Sequence, residues 1–443
     1  MLGNLNAINS VVIESDPDSP RSRQEIVELA LSASPYAAKL ATKVELEIAE
    51  DFHALGYAYL QIQLMTRQLR YSSNLDETAF SKACVSAAEF STEGDYENAK
   101  AGLTRCFDML LEERNSYYPV EPELIDVVLN ANTTLGKSLQ RQLEQKHSFN
   151  ILITGSDAEV LAAKKPDMLA KLKTRVLDQS DDTPSEKVAI IGGLQDELPE
   201  PLVSTESLVN QLGRGRQTIQ NLLGIEPTVF MRRRFGLGPA MPGVLEQFNF
   251  VGAIHATLDD GKYPLGSAAN FRWTGDDDRS ILAHGEVPLS ADDEGSFVGL
   301  GVKLGETIDS VHVACVVFCH WPDKTCQSFK DVLRITQYGT LLGSFLNIED
   351  YFESVYDPGY GDTFTSGEYR APYLKQAIQR DTPNPISSVT KYWRRFYQLN
   401  SARALLTQIC AKTAIGAEDA TDCLLYTSPS PRDRQRARMP SSA

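Results

Sequence analysis

The chain has 443 residues and a formal net charge of −16, with 42% hydrophobic and 23% charged residues. This balance is typical of a globular protein with one large domain or two smaller ones. The acidic excess argues against binding to nucleic acids or anionic membranes, because both need clustered cations. The sequence shows no apolar run of about 18 residues and no signal-peptide pattern. Together with seven cysteines lacking dense spacing, this predicts a cytoplasmic protein in a reducing compartment.

The two ends of the chain differ from the rest. Residues 1–21 are polar and contain proline, which predicts a loose arm. Residues 423–443 have no helical or strand period and resemble the conceptual translation of a sequencing-library adapter. We therefore expect the native reading frame to end near Asp422 and the tail to be non-native.

Residues 22–415 are predicted to form one domain with three parts. Helical spacing of apolar residues dominates 22–146, including Glu121–Asn130 and Thr134–Lys146. Short apolar runs alternate with helical patterns over 147–360, and helices return over 365–415. The predicted strands are 149–154, 188–191, 228–231, 250–258, 280–287 and 311–320. Strands that alternate with helices indicate an α/β fold with a parallel sheet and right-handed crossovers.

Polar clusters follow several of these strands, where the active sites of parallel α/β barrels lie. Glu197 follows Gly192-Gly193 and is predicted to bind a sugar hydroxyl or to act as a general acid. The alternative is an acidic surface loop. Arg233 and Arg234, in the run 232–234, suit a clamp on a carboxylate or phosphate substituent. Pairing with acidic side chains of the chain itself is the structural alternative.

Two further clusters follow the later strands. His255 shares a strand face with Asp259, and Asp260 comes next. This set suits a divalent metal, with His255 as ligand, or an acid/base pair, although a buried histidine before an Asp-Gly turn is the simpler interpretation.

The last predicted strand ends in His320-Trp321-Pro322-Asp323. Trp321 is a candidate platform for stacking a sugar ring, or else a rim residue. His320 and Asp323 are candidate substrate-binding residues beside it.

The stretch around Glu197 resembles the catalytic half of glycoside hydrolase family 38, the α-mannosidases. The resemblance rests on Gly192-Gly193-Leu-Gln-Asp-Glu197, Glu206-Ser-Leu-Val-Asn-Gln211, Phe235-Gly236 and Met241-Pro242-Gly-Val-Leu245. It implies a parallel (β/α)7-type barrel that acts on carbohydrate. Two departures stand out: Arg233 occupies the place of the nucleophilic Asp, and the His-x-Asp pair that binds zinc in the family is absent from this chain.

Three functions follow from these observations. The first is a divergent glycoside hydrolase, resembling an α-mannosidase, with Glu197 as acid/base and Asp259 or Asp260 as nucleophile. The second is an inactive descendant that still binds sugar or serves as a scaffold, which Arg233 favours. The third is a metal-dependent polysaccharide deacetylase, because Thr257-Leu-Asp-Asp-Gly261 resembles a motif of that family. It would hold zinc through His255, Asp259 or Asp260, and His320.

Overall fold

A computed structural model describes residue 25 and residues 43–177, 186–259, 261–266, 268–311, 315–354 and 361–413. The predicted arm at 1–21 and the predicted non-native tail at 423–443 lie outside these ranges. Asp260 lies outside them as well. No helix in the described ranges is long and apolar enough to cross a membrane.

Three helices form the first part of the described chain. They are α1 (Lys43–Gln68), α2 (Glu77–Glu93) and α3 (Tyr96–Tyr117). The cap signal between α2 and α3 is confirmed, because Gly94 has a φ of 83° and the Asp95 side chain accepts the backbone N–H of Asn98. The apolar faces of these helices pack against the first of two β-sheets, described next, and form one core cluster with it.

The first sheet is parallel throughout. Its strands are β1 (Glu123–Leu129), β2 (Phe149–Ile153), β3 (Val188–Gly192), β8 (Leu289–Ser290), β9 (Cys315–His320) and β10 (Ser344–Leu346). The order is β3-β2-β1-β9-β8, with β10 also paired to β1. The helix predicted over 121–130 is wrong, because this segment forms the central strand β1. A run of apolar residues buried on both faces fits a central strand as well as a buried helix, and pairing with both neighbours decides for the strand.

The second sheet is mixed. Its strands are β4 (Val229–Phe230), β5 (Gly252–Ile254), β6 (Asn270–Thr274), β7 (Ser280–His284) and β11 (Gly361–Thr363), in the order β11-β6-β7-β5-β4. The β6–β7 pair is antiparallel and the other pairs are parallel. Strands β6 and β11 did not stand out in the sequence.

Helices connect the strands and follow them. They are α4 (Lys137–Leu143), α5 (Gly155–Lys164), α6 (Pro166–Leu177), α7 (Thr205–Leu223), α8 (Met241–Gln247), α9 (Glu294–Val298), α10 (Leu300–Val311), α11 (Gln327–Ile335), α12 (Ile348–Ser354), α13 (Tyr373–Gln379) and α14 (Pro385–Thr413). The α/β class, the parallel sheet and the helices at both ends of the domain are therefore confirmed. The exception at the N-terminal end is β1.

The two sheets share a core, but hydrogen bonds do not join them into a closed cylinder within the described strands. Val127 of β1, Ile191 of β3, Met231 just after β4, Ile254 of β5 and Val317 of β9 belong to one buried cluster. Strands β4 and β5 span only two and three residues, which leaves little backbone for a continuous ladder. The expected barrel therefore appears here as two sheets packed around common side chains.

Candidate functional site

A cleft of about 180 Å³ opens where strands β1 to β4 end. The residues that line it are Asn130, Ala131, Asn132, Thr133, Leu152, Thr154, Asp157, Glu197 and Arg233. Most of them follow the last residue of a parallel strand. The carboxyl ends of parallel strands meet at one edge, which is where ligands bind in α/β sheets.

Asn130 contributes a buried amide without a partner. The residue is 4% exposed, and neither its side-chain oxygen nor its side-chain nitrogen makes a hydrogen bond with any described residue. Its backbone is held on both sides, since its N–H donates to Leu152 O at 3.2 Å and its carbonyl accepts from Arg233 Nη1 at 2.9 Å. An unsatisfied buried polar group costs about 1–3 kcal/mol. An amide left in this state at a cleft wall is available to a ligand.

Glu197 lines the cleft from the loop after β3. Gly192 and Gly193 precede it with φ angles of 114° and 98°, which only glycine adopts readily. One Glu197 carboxylate oxygen accepts the backbone N–H of Arg233 at 2.6 Å. Burial raises the pKa of Glu197, and the nearby guanidinium of Arg232 offsets only part of this effect.

Arg233 is fixed against the cleft by two contacts. Nη1 donates to the Asn130 carbonyl, and Cζ lies 5.4 Å from the centroid of the Trp321 ring. Such a cation–π contact helps to hold the guanidinium in place. Trp321, proposed from the sequence as a sugar platform, therefore supports Arg233 in this structure.

Asp157 is the second acidic residue of the cleft and is not among the site residues predicted from the sequence. Thr154 caps α5 by accepting the backbone N–H of Asp157 at 3.2 Å, and its hydroxyl donates to the Asp157 carboxylate at 2.8 Å. A threonine followed three residues later by an acid, directly after a strand, is the sequence signal that would have found it.

Arg232 and Arg234 do not line the cleft. Arg232 is fully buried and pairs with Glu200 at 3.2 Å, while its Nε donates to the Arg234 carbonyl at 2.8 Å. Burial raises the pKa of Glu200 to about 7 even though Arg232 opposes the shift. The Arg234 guanidinium lies 4.7 Å from the centroid of Phe235. Pairing with acids of the chain thus describes Arg232, and of the three arginines Arg233 is the one in the described lining of the cleft.

His255 lies in an aromatic environment away from the cleft. Its ring centroid is 4.6 Å from that of Trp273, 5.4 Å from Phe271 and 5.6 Å from Phe364. Burial lowers the pKa of His255 to about 3, against the opposing effect of the Pro264 backbone. The described residues contain no group of three or more His, Cys, Asp or Glu that could hold a metal ion. The geometry therefore does not support His255 as a metal ligand.

Asp259 is exposed beside the second sheet. Its side chain is 46% exposed and lies 3.4 Å from Arg380 Nη2. Its backbone N–H donates to the Arg233 carbonyl at 2.8 Å, so the main chain runs next to the cleft loop while the carboxylate is absent from the cleft lining. The catalytic roles of Asp259 and of the undescribed Asp260 stay predictions.

His320 belongs to a buried polar cluster beneath the helices. Its Nε2 lies 2.9 Å from Asp126 Oδ1, and the other Asp126 oxygen lies 2.8 Å from His147 Nε2. The His320 ring packs 5.7 Å from Phe329 of α11, on the helix side of the sheet. Its Nδ1 donates to the Trp321 carbonyl at 2.8 Å, which leaves neither ring nitrogen for a ligand.

The interaction between Asp126 and the two histidines shifts the pKa values of this cluster. Burial by itself would raise the pKa of Asp126, but His320 and His147 outweigh it and the pKa lies below its usual range. Burial would lower the pKa of His320, and Asp126 reverses this and raises it. Asp323, the last predicted site residue, pairs with Arg141 at 2.9 Å and does not line the cleft.

Part of this chain matches a known protein family. Residues 158–298 match the N-terminal domain of the glycosyl hydrolases family 38. The chain contains a family 38-like domain. No curated protein matches the chain. The matched segment begins within α5 and includes the loops that carry Glu197 and Arg233.

Several solved structures show weak similarity to this chain. A 4-alpha-glucanotransferase from Thermococcus litoralis has a TM-score of 0.40 and 11% identity, covering 69% of this chain and 55% of its own. A family 38 protein from Enterococcus faecalis has a TM-score of 0.38 and 14% identity, covering 55% and 29%. A putative polysaccharide deacetylase from Mycobacterium smegmatis has a TM-score of 0.37 and 11% identity, covering 54% and 92%. The chain thus spans about half the length of the first and under a third of the second.

The residues of the cleft do not fit the zinc ion that the family resemblance implies. The described lining contains two carboxylates, Asp157 and Glu197, and neither histidine nor cysteine. Zinc in proteins is bound by thiolate, imidazole and carboxylate groups. The adjacent Arg233 guanidinium would also repel a divalent cation. The described lining of this polar cleft therefore does not provide a zinc ligand set.

Proposed function

We propose that this family 38-like domain binds carbohydrate in the cleft lined by Asn130, Glu197 and Arg233. The observation that carries the proposal is the buried Asn130 amide, which has a donor and an acceptor without partners. A sugar hydroxyl both donates and accepts hydrogen bonds, so neighbouring hydroxyls match an amide, a carboxylate and a guanidinium together. The matched family, whose members act on glycosyl bonds, supports the same ligand class.

The dimensions of the cleft favour a single sugar unit. Its volume of about 180 Å³ is below the roughly 300 Å³ at which pockets for drug-sized ligands begin. The cleft also combines two acidic residues, Asp157 and Glu197, with one cation, Arg233. We infer that a neutral monosaccharide, or one terminal residue of a chain, is the ligand that fits best.

Arg233 favours a protein that binds sugar without hydrolysing it. In the family resemblance, its position belongs to the nucleophilic Asp. A guanidinium stays protonated and cannot form a glycosyl-enzyme intermediate. The Arg233 contacts to Asn130 and Trp321 show a residue built into the cleft wall.

A binding experiment on the full chain tests the proposal. Titration with a panel of neutral monosaccharides, followed by NMR or calorimetry, should find at least one binder. Its affinity should fall about tenfold or more in Asn130→Leu, which corresponds to the loss of about 1.4 kcal/mol. Asp323→Asn, whose carboxylate pairs with Arg141 outside the cleft, is the matched control and should bind normally. Equal affinity of Asn130→Leu and the wild type would remove the cleft from the proposal.

A divergent hydrolase is the second candidate, and one observation favours it. Burial raises the pKa of Glu197, which is the property of a general acid. The nucleophile would be Asp259 or Asp260, and an α-mannoside is the substrate that the family resemblance suggests. Release of the aryl group from α- and β-glycosides, lost in Glu197→Gln and in one of Asp259→Asn or Asp260→Asn, would establish it. No release from any glycoside would leave binding alone.

The deacetylase alternative has no comparable support. It needs zinc shared by His255 and His320, yet one ring lies among aromatic side chains and the other is held by Asp126.

For the architecture, we propose that the two sheets are halves of a distorted (β/α)7 barrel. The core cluster that both sheets share supports this arrangement. An experimental structure in which strands of the two sheets lie on opposite sides of a helical layer would contradict it.

A further inference from the structure

The hairpin of α2 and α3 carries an unusually close contact between two cysteines. A Cβ atom added to Gly102 of α3 would lie 2.7 Å from Ala87 Cβ of α2, so the glycine lets the two helices approach closely. Cys84 lies three residues before Ala87, and Cys106 lies four residues after Gly102. In an antiparallel pair these steps lead one turn along the same interface on both helices. The two Sγ atoms are 3.6 Å apart.

The two thiols differ in their surroundings. Cys106 is buried in the core that the helices form with the first sheet, whereas Cys84 is partly exposed. The hydrogen bond between the thiols lowers the pKa of Cys84 and raises that of Cys106. A reagent from solvent therefore meets Cys84 first, and the thiolate is the reactive form.

We propose that Cys84 and Cys106 form a site of oxidative modification that reacts with small disulfides such as oxidised glutathione and closes an internal disulfide. The Cys84 thiolate attacks one sulfur of the reagent, forms a mixed disulfide and releases one thiolate. Cys106 then loses its proton to solvent and attacks Cys84 Sγ, which releases the second thiolate. Two protein thiols are oxidised, and one small disulfide is reduced to two thiols.

The geometry requires only a small displacement for the second step. A disulfide needs its sulfurs about 2.05 Å apart, so the two Sγ atoms must approach each other by about 1.5 Å. Rotation about the side-chain bond of the partly exposed Cys84 supplies part of this movement. The close approach of the two helices at Gly102 and Ala87, one turn away, already places the two cysteines side by side.

Peptide mapping of the full chain tests the site directly. Trypsin cleaves after Lys82, Lys100, Arg105 and Arg114, which places Cys84 in peptide 83–100 and Cys106 in peptide 106–114. After incubation of the folded protein with oxidised glutathione, we expect the two peptides to be linked without reductant and separate with it. A Cys84 that stays reduced, or that stops at the glutathione adduct while Cys106 remains a thiol, would overturn the proposal.

Variants separate this site from general thiol oxidation. Cys84→Ser should abolish the link, while Cys326→Ser, a change at another partly exposed cysteine, should leave its yield unchanged. Cys106→Ser should accumulate the glutathione adduct on Cys84, because the resolving thiol is gone. A 83–100 to 106–114 link that disappears equally in Cys326→Ser would contradict direct exchange between the two thiols.

Discussion

In each of the two sheets a histidine lies at or just after the end of a strand, but the pKa values of the two histidines are shifted in opposite directions. At the first sheet, His320 lies 2.9 Å from Asp126, and its pKa is raised. At the second sheet, His255 packs among aromatic rings, and burial lowers its pKa to about 3. Both histidines are buried at or near a strand end. The difference shows that the neighbouring elements, rather than the position on the strand, decide whether such a histidine is charged.

The largest expected change in the free energy of unfolding comes from a substitution in the first sheet. Asp126→Asn removes the charge that both His147 and His320 contact, and breaking a buried pair costs about 3–5 kcal/mol. Chemical denaturation should show this loss in the free energy of unfolding. Asp323→Asn is the matched control: its partner, Arg141, is a largely exposed side chain, and we expect a change of about 1 kcal/mol or less. Equal losses in the two variants would contradict the role of burial.

A substitution in the cleft of the same sheet is expected to increase the stability of the fold. Asn130→Leu replaces an unsatisfied buried amide by an apolar side chain of similar size and should stabilise the fold by about 1–3 kcal/mol. The variant should lose sugar binding at the same time, which denaturation and ligand titration measure together. A destabilised Asn130→Leu would show that the amide is satisfied in the free protein.

The two histidines should respond to pH in opposite directions. His255 has a folded pKa of about 3 against an unfolded value of about 6.5, so the unfolded chain binds more protons between them. Its contribution is therefore lost as the pH falls below about 6.5. The raised pKa of His320 has the reverse effect: its contribution is present below about 6.5 and is lost as the pH rises through the folded pKa.

Chemical denaturation at a series of pH values from 4 to 8 measures how the free energy of unfolding changes with pH. His255→Phe should reduce the loss of stability at acidic pH, and His320→Phe should reduce the loss at alkaline pH. If both variants keep the slopes of the wild type, the two environments do not differ as described.

The smallest effect is expected at the rim of the second sheet. Asp259 is about half exposed, and its contact with Arg380 is 3.4 Å long. Asp259→Asn should change the free energy of unfolding by less than about 1 kcal/mol. A loss of several kcal/mol would mean that the second-sheet rim holds a buried charge after all.

The alternation of apolar runs and helical patterns is enough to predict the parallel strands β2, β3 and β9 and the helices α7 and α8, but not the helices α9 and α10 that precede β9. It failed at β1, because an apolar run with Asp126 in its middle gives no clear period. It also misses β6, β8, β10 and β11, which are short and are paired through long-range contacts. Glu197 and Arg233 are predicted from the sequence and line the cleft. The cap signal of Thr154 and Asp157 marks a helix start without indicating a cleft, and the local sequence of Asn130 does not distinguish a cleft wall from a turn.

The sequence by itself determined what depends on near neighbours along the chain. It specified the helix caps at Gly94-Asp95, the tight turn at Gly192-Gly193 and the alternation that makes an α/β protein. Only the tertiary structure decided which strand-end side chains meet, because convergence depends on sheet order and on the helices that cover each end. For that reason Glu197 and Arg233 face one cleft with Asn130, while His320 is held beneath a helix.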